Sequence, residues 1–217
     1  MPTILVHTRT TGYRHASIPH GVRALRDLGF GVRHAEDPDE FADALGQRPG
    51  AVVFVSTTGE VLTDAGRERL AAYVDGGGGF VGVHAAACAE YGWPYFGELL
   101  GARFAGHPAY QPGRVLVTDR SHPATRHLPP VWNWTDEWYD FDADPARDPA
   151  VGVLARADES SYTGAGTGPA HPLIWCRHQG AGRVFYTSLG HAPSAYEDPA
   201  FRTHLAAAVT WAARADS

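Results

Sequence analysis

The chain holds 12 histidines, and several of them stand where an apolar run stops. His84 ends the run GGGGFVGV that begins at Gly76, His7 ends TILV, and His191 follows GRVFYTSLG. His15 and His107 sit in the loops GYRHASI and GHPAY. An imidazole titrates near neutrality, so it can take or give a proton there, and its neutral nitrogen can also ligate a metal. His84, His107 and His191 meet the three-ligand count of a catalytic zinc site with one position open. Their spacing forms no local ligand signature, so a divalent metal such as Zn2+ is permitted by the sequence rather than indicated by it. The case for function rests on position, because a histidine is often only a surface or hydrogen-bonded residue.

Other residues suit the binding of a polar ligand. Arg14 can fork onto a polar oxygen, and Asp136 and Glu137, in the stretch DEWYDF, can bond vicinal hydroxyls or act as a base. Trp93, Trp138, Tyr139 and Trp175 offer flat apolar faces on which a ligand can stack. The two cysteines, Cys88 and Cys176, make neither a disulfide framework nor a CxxC pair and read as reduced, packed thiols. The GGGG run precedes a strand and lacks the Lys-Ser/Thr that grips phosphate, so neither a nucleotide nor a flavin is expected.

These residues need a frame, and β and α signals alternate to supply one. TILVHT (3–8), GVRHAED (31–37), GAVVFVST (50–57) and GFVGVHA (79–85) read as strands. Segments 17–30, 37–45 and 62–78 between them carry helical spacing. Near-continuous apolar strands separated by helices indicate a parallel sheet covered on both faces, with TILVHT and GFVGVHA near its centre. From 91 to 148 the chain is rich in Pro, Trp, Tyr and Asp with one clear strand at 113–119, which predicts an elaborated region folded over the sheet. PLIWCRH and GRVFYTS, joined by QGAG, form a hairpin, and 198–215 a closing helix. Ligands of such a sheet sit beyond the carboxyl ends of its strands. This predicts one pocket shared by His15, His84, His107, Glu137 and His191, with His84 at its centre.

A chain of 217 residues, 44% hydrophobic and 19% charged, is long enough for one sizeable core and short for two, so a single domain over 1–217 is expected. The net charge of −6 and the lack of a basic stripe argue against nucleic acid and anionic membranes as partners. No segment approaches the length of a membrane span or has the form of a signal peptide, so a cytoplasmic location is expected. A homo-oligomer is allowed.

GYRHASI, GGGFVGVHAA, GHP, DEWYDF and GAGRVFYTSLGH, in that order, resemble the ThuA-like family, named for trehalose utilisation. The resemblance spans roughly residues 3 to 214. It implies membership of the class I glutamine amidotransferase-like superfamily and so a flavodoxin-like three-layer α/β/α sandwich with a mainly parallel central sheet. In that superfamily the turn after the equivalent strand is an elbow carrying a catalytic cysteine, which a C-terminal histidine activates. Here the elbow position looks like His84 and the C-terminal histidine like His191, while Cys88 falls four residues later, on the helix after the turn. Imidazole does not readily replace a thiolate in forming a thioester, so glutaminase activity is not expected.

The resemblance implies a small carbohydrate as ligand. The reaction read from the residues is acid–base chemistry on a glycoside or an oxidised (3-keto) sugar, as a hydrolase, lyase or isomerase, with metal assistance left open. His84, His191, Glu137 and His15 would move protons, and Arg14, His107, Asp136, Trp138, Tyr139 and Trp93 would hold the substrate. The alternative is a non-catalytic sugar-binding or regulatory module that kept the scaffold after losing its thiol; a fold alone does not choose between them.

Overall fold

The apolar runs form the middle of a nine-stranded sheet. The computed structural model describes residues 1–164, 166–168 and 170–215. In chain order the elements are β1 (Thr3–His7), α1 (Ile18–Asp27), β2 (Gly31–Ala35), α2 (Pro38–Leu45), β3 (Ala51–Val55), α3 (Asp64–Asp75) and β4 (Gly79–Val83). They continue with α4 (Pro94–Leu100), β5 (Gln111–Val117), β6 (Val131–Asp136), β7 (Val151–Ala157), β8 (Pro172–Gln179), β9 (Gly182–Thr187) and α5 (Pro199–Ala212). The strand order is β2-β1-β3-β4-β9-β8-β7-β5-β6. The first five run parallel and the last four join antiparallel. Neither β1 nor β4 is an edge, which accounts for their unbroken hydrophobicity.

Period-two alternation sorts the parallel strands into two cores. Ile4, Val6, Val53, Val55, Val81 and Val83 face α1 and α5, while Leu5, Val52, Phe54 and Phe80 face α2, α3 and α4. The result is a three-layer α/β/α sandwich. Helix starts are set locally: the side chains of Asp37, Thr63 and Asp198 accept hydrogen bonds from first-turn amides of α2, α3 and α5. Among the described residues no helix is long and apolar enough to cross a membrane.

Two expectations require correction. The 91–148 region does not simply fold over the sheet: β5 and β6 lengthen it, and β7 intervenes between β5 and β8. Trp134 of β6 stacks on Phe201 of α5 at 5.5 Å and 25°, and Trp132 faces His204 at 6.4 Å, so this antiparallel wing wraps around α5. Cys88 does not lie on a helix. His84–Ala87 form one 3-10 turn, after which Cys88–Ala89 pair in parallel with Thr58–Gly59. The chain then turns at Glu90, which has φ +57°, and the Trp93 amide bonds back to the Glu90 carbonyl before α4 begins.

Candidate functional site

His84 follows the last residue of β4 with φ +51°, a left-handed conformation that costs a non-glycine residue on the order of 1–2 kcal/mol. Four contacts hold the buried ring and its backbone there. The Tyr186 hydroxyl donates to the His84 carbonyl at 2.8 Å, and the ring Nδ1–H donates to the Ser188 carbonyl at 2.7 Å. The Tyr139 hydroxyl donates to Nε2 at 2.9 Å, and its ring lies 4.5 Å from the imidazole. With Nδ1 committed as a donor, Nε2 carries the lone pair and faces the site. The neighbouring strand contributes a second strained turn, with Ser56 at φ +50° donating its amide to the Val83 carbonyl.

Three other side chains meet His84. Glu137 Oε2 stands 3.5 Å from His84 Nε2 and 3.1 Å from His191 Nδ1, and the two imidazole nitrogens are 3.3 Å apart. His15, carried by the loop after β1, presents its ring edge-on at 4.8 Å from His84 and 5.3 Å from His191. Beneath them Asp136 is fully buried. Its carboxylate accepts from Trp134 Nε1 at 2.8 Å and from the amides of Glu137 at 2.9 Å, Gly190 at 2.8 Å and His191 at 3.2 Å. One carboxylate thus seats both the end of β6 and the loop after β9, the segments that carry Glu137 and His191.

The charges are ordered. Burial alone would raise the Glu137 carboxyl, but the hydrogen bond from His191, followed by the influence of the neighbouring His84 ring, holds it well below the usual carboxylate range. His191 is raised above the ordinary histidine value, chiefly by its hydrogen bond to Glu137, against an opposing effect of burial. His15 is pushed down to about 3, first by burial and then by the neighbouring His84 and His191, so it is neutral at pH 7. The site therefore holds a carboxylate, a histidine favoured as the cation and an unprotonated nitrogen within one contact shell.

The sequence-nominated residues divide sharply. His15, His84, Glu137 and His191 converge, whereas His107 stands outside this group. Its Nδ1 faces the Pro108 carbonyl at 2.8 Å, and its Nε2 reaches Glu137 through the other carboxylate oxygen, at 3.6 Å. The donor atoms that lie close together are therefore those of His15, His84, Glu137 and His191, in place of the expected set of His84, His107 and His191. Trp138 is not a pocket platform: it is fully buried, stacked 4.8 Å from Tyr162, with Nε1 donating to the Gln111 carbonyl. Trp93 stacks on Tyr95 and Phe96 beside α4, and Trp175 is buried with Nε1 on the Leu100 carbonyl. Tyr139 offers its hydroxyl rather than a free face, being buried against His84. Asp136 has its oxygens filled by four donors and is a scaffold residue, not a hydroxyl ligand. Arg14 turns to Glu36 at 2.6 Å and to the Thr8 carbonyl. His7 is a core residue between Phe41 and Phe54. Cys88 is a poor nucleophile, since burial pushes its thiol up to about 12.

Two aromatic residues outside the nominated set flank the cluster. Tyr13, 68% exposed, stands edge-on to His15 at 4.7 Å, and Tyr110, 43% exposed, lies 5.3 Å from His191. A cleft of about 730 Å³ reaches Tyr13 and His15, and a second of about 720 Å³ runs from Tyr110 past Arg114, Asn133 and Ser194. The signal for both tyrosines was their place in motifs already noted, GYRHASI and GHPAY; whether a tyrosine is buried or exposed is not written in those motifs.

The fold recurs in solved structures. A ThuA-like protein from Bacteroides uniformis superposes with a TM-score of 0.81 at 23% identity, over 97% of this chain and 91% of that one. A ThuA-like protein from Parabacteroides merdae gives 0.79 at 22%, over 99% and 91%. A cytoplasmic protein of Salmonella typhimurium gives 0.69 at 14%, over 97% and 99%. At these identities the likeness speaks to fold alone. A search of the curated proteins finds no match. Residues 3–212 match the family model ThuA, described as trehalose utilisation, and the chain therefore belongs to that family.

Proposed function

We propose that the chain is an enzyme of carbohydrate utilisation that acts on an oxidised (3-keto) glycoside by histidine and carboxylate acid–base chemistry. The observation that carries the reading is the convergence of His84 Nε2, His191 Nδ1 and Glu137 Oε2 within 3.5 Å of one another, beside two exposed tyrosines. A carbonyl in the sugar ring acidifies the neighbouring C–H. His84 Nε2 takes that proton, the C–H electron pair forms a C=C bond, and the glycosidic C–O bond beyond it breaks. The departing oxygen takes the proton that His191 shares with Glu137. Tyr139, released from Nε2, supplies a hydroxyl donor for the developing enolate oxygen.

Direct glycoside hydrolysis is less well served, because that chemistry uses a pair of working carboxylates. Glu137 is one, and Asp136, the adjacent candidate, is saturated by four donors. Glutamine hydrolysis lacks a nucleophile, since the elbow holds imidazole and the nearby thiol is protonated. The test uses 4-nitrophenyl 3-keto-glucosides, following nitrophenol release and enone absorbance together. Turnover that falls on the order of 10²-fold in Glu137→Gln and His84→Ala, with thermal unfolding checked for each variant, supports the reading. Sugar binding without turnover by the wild-type chain would instead identify a binding module.

A further inference from the structure

We propose that His15, His84, Glu137 and His191 hold a divalent transition-metal ion. Their donor atoms all lie within 4.8 Å of one another. Three of them, His84 Nε2, His191 Nδ1 and Glu137 Oε2, form a triangle with sides of 3.1, 3.3 and 3.5 Å. Zinc bonds of about 2.0–2.2 Å to nitrogen and oxygen require tetrahedral edges roughly 1.6 times longer, about 3.3–3.6 Å. Two sides of the triangle fall in that range and the third is slightly shorter, so it comes close to one face of such a site, with His15 near enough to supply a fourth ligand.

The surroundings are those of a ligand set. His84 donates Nδ1–H to the Ser188 carbonyl, the outer contact that fixes the tautomer of a metal-bound histidine and leaves Nε2 free to ligate. His15 is only 6% exposed, yet its Nδ1 has no hydrogen-bond partner. A buried, unpartnered ring nitrogen is costly unless something occupies it. The ion-pair partners of Glu137 among the described residues are His84, His107 and His191, with no arginine to neutralise the carboxylate. Three imidazoles and one carboxylate suit Zn2+ and its first-row neighbours and do not suit Mg2+ or Ca2+, which take oxygen. The cleft lined by Tyr13 and His15 gives an ion a path in.

The ion would take the His84 Nε2 lone pair that the proposed reaction uses as its base, so that reaction belongs to the ion-free chain, and the test of the site is binding. The full chain, stripped with EDTA, is titrated calorimetrically with Zn2+ and with Mg2+, and Co2+ is added to a parallel sample to read its ligand-field absorption. One Zn2+ per chain is expected, with no Mg2+ uptake. His191→Ala and Glu137→Gln, both at partly exposed side chains, should each weaken Zn2+ by about 10²-fold or more, whereas His20→Ala on α1 should leave it unchanged. Tyr139→Phe should keep the ion, because the metal, not the phenol, would then occupy His84 Nε2; a variant that only perturbed packing would lose it. Absence of stoichiometric Zn2+ uptake, or uptake that His191→Ala and Glu137→Gln leave within about threefold, overturns the site. Uptake without keto-glycoside turnover would sink the proposed reaction and leave the metal site standing; turnover by a chain that takes up no metal would do the reverse.

Discussion

Replacing Asp136 by asparagine isolates the residue on which the site is hung. The side chain keeps its shape, but one of its two oxygens becomes an NH2 group. Oδ1 accepts from the Glu137 and His191 amides, and Oδ2 from Trp134 Nε1 and the Gly190 amide, so either orientation turns two buried donors toward another donor. Each unsatisfied buried donor costs about 1–3 kcal/mol, and the two surviving bonds lose the assistance of charge. The expected loss is about 3–5 kcal/mol. At roughly 2–4 °C per kcal/mol for a chain of this size, Tm should fall by about 6–20 °C. Thermal unfolding followed by circular dichroism at pH 7 measures this, with the exposed Asp39→Asn as a control expected within about 1 °C. A fall of less than about 2 °C would refute the reasoning, because it would mean that the four donors find other partners at no cost. Zn2+ uptake at the site should weaken in the same variant even below its unfolding temperature, since Glu137 and His191 lose their common anchor.

His7 and His204 are both buried, and burial pushes each down to about 4. The unfolded chain protonates them near 6.5 and the folded chain does not, so their neutral burial costs nothing above pH 6.5 and stability is lost as pH falls from 6.5 to about 4. The loss is on the order of 3 kcal/mol per histidine by pH 4. Urea unfolding at pH 7 and pH 5 should show this fall, and His204→Gln should flatten part of it; an unchanged slope would contradict the assignment. Cys88→Ser should change keto-glycoside turnover by less than about tenfold, and alkylation of Cys88 by iodoacetamide at pH 8 should be slow in the folded protein. Tyr13→Ala and Tyr110→Ala should each raise KM for a keto-glycoside by about 2- to 12-fold with kcat little changed, as lost ring stacking of about 0.5–1.5 kcal/mol requires.

The elements that were legible in the sequence are those whose burial is two-sided. β3 and β4 are buried at every position and β1 at every position after Thr3, because helices cover both faces, and a near-continuous apolar run of that kind has few other readings. β6 was not legible: VWNWTD buries Trp132 and Asp136 while leaving Val131, Asn133 and Thr135 to solvent, a half-exposed pattern that resembles an aromatic loop until its partner strand is known. The site divides in the same way. That His84 and His191 meet follows from the adjacency of β4 and β9, and the end of a strand is readable. That His15 rather than His107 completes the group depends on how two loops fold back, which spacing does not encode. The aromatic residues failed for a related reason. A tryptophan in a motif can fill the core as Trp138 does, and the solvent-facing rings were tyrosines whose exposure is set by the loops around them.

The wrapping of β6 around α5 has a dynamic consequence. The imidazoles come from the loops after β1, β4 and β9, whereas the carboxylate and the phenol, Glu137 and Tyr139, follow β6 at the far edge of the sheet. An opening fluctuation that lifted only this edge, releasing Trp134 from Phe201 and Asp136 from Gly190, would strip the histidines of their counter-charge while the parallel half stayed folded. Protection of the Gly190 and His191 amides against hydrogen exchange would then report the lifetime of the competent site rather than the global stability of the chain.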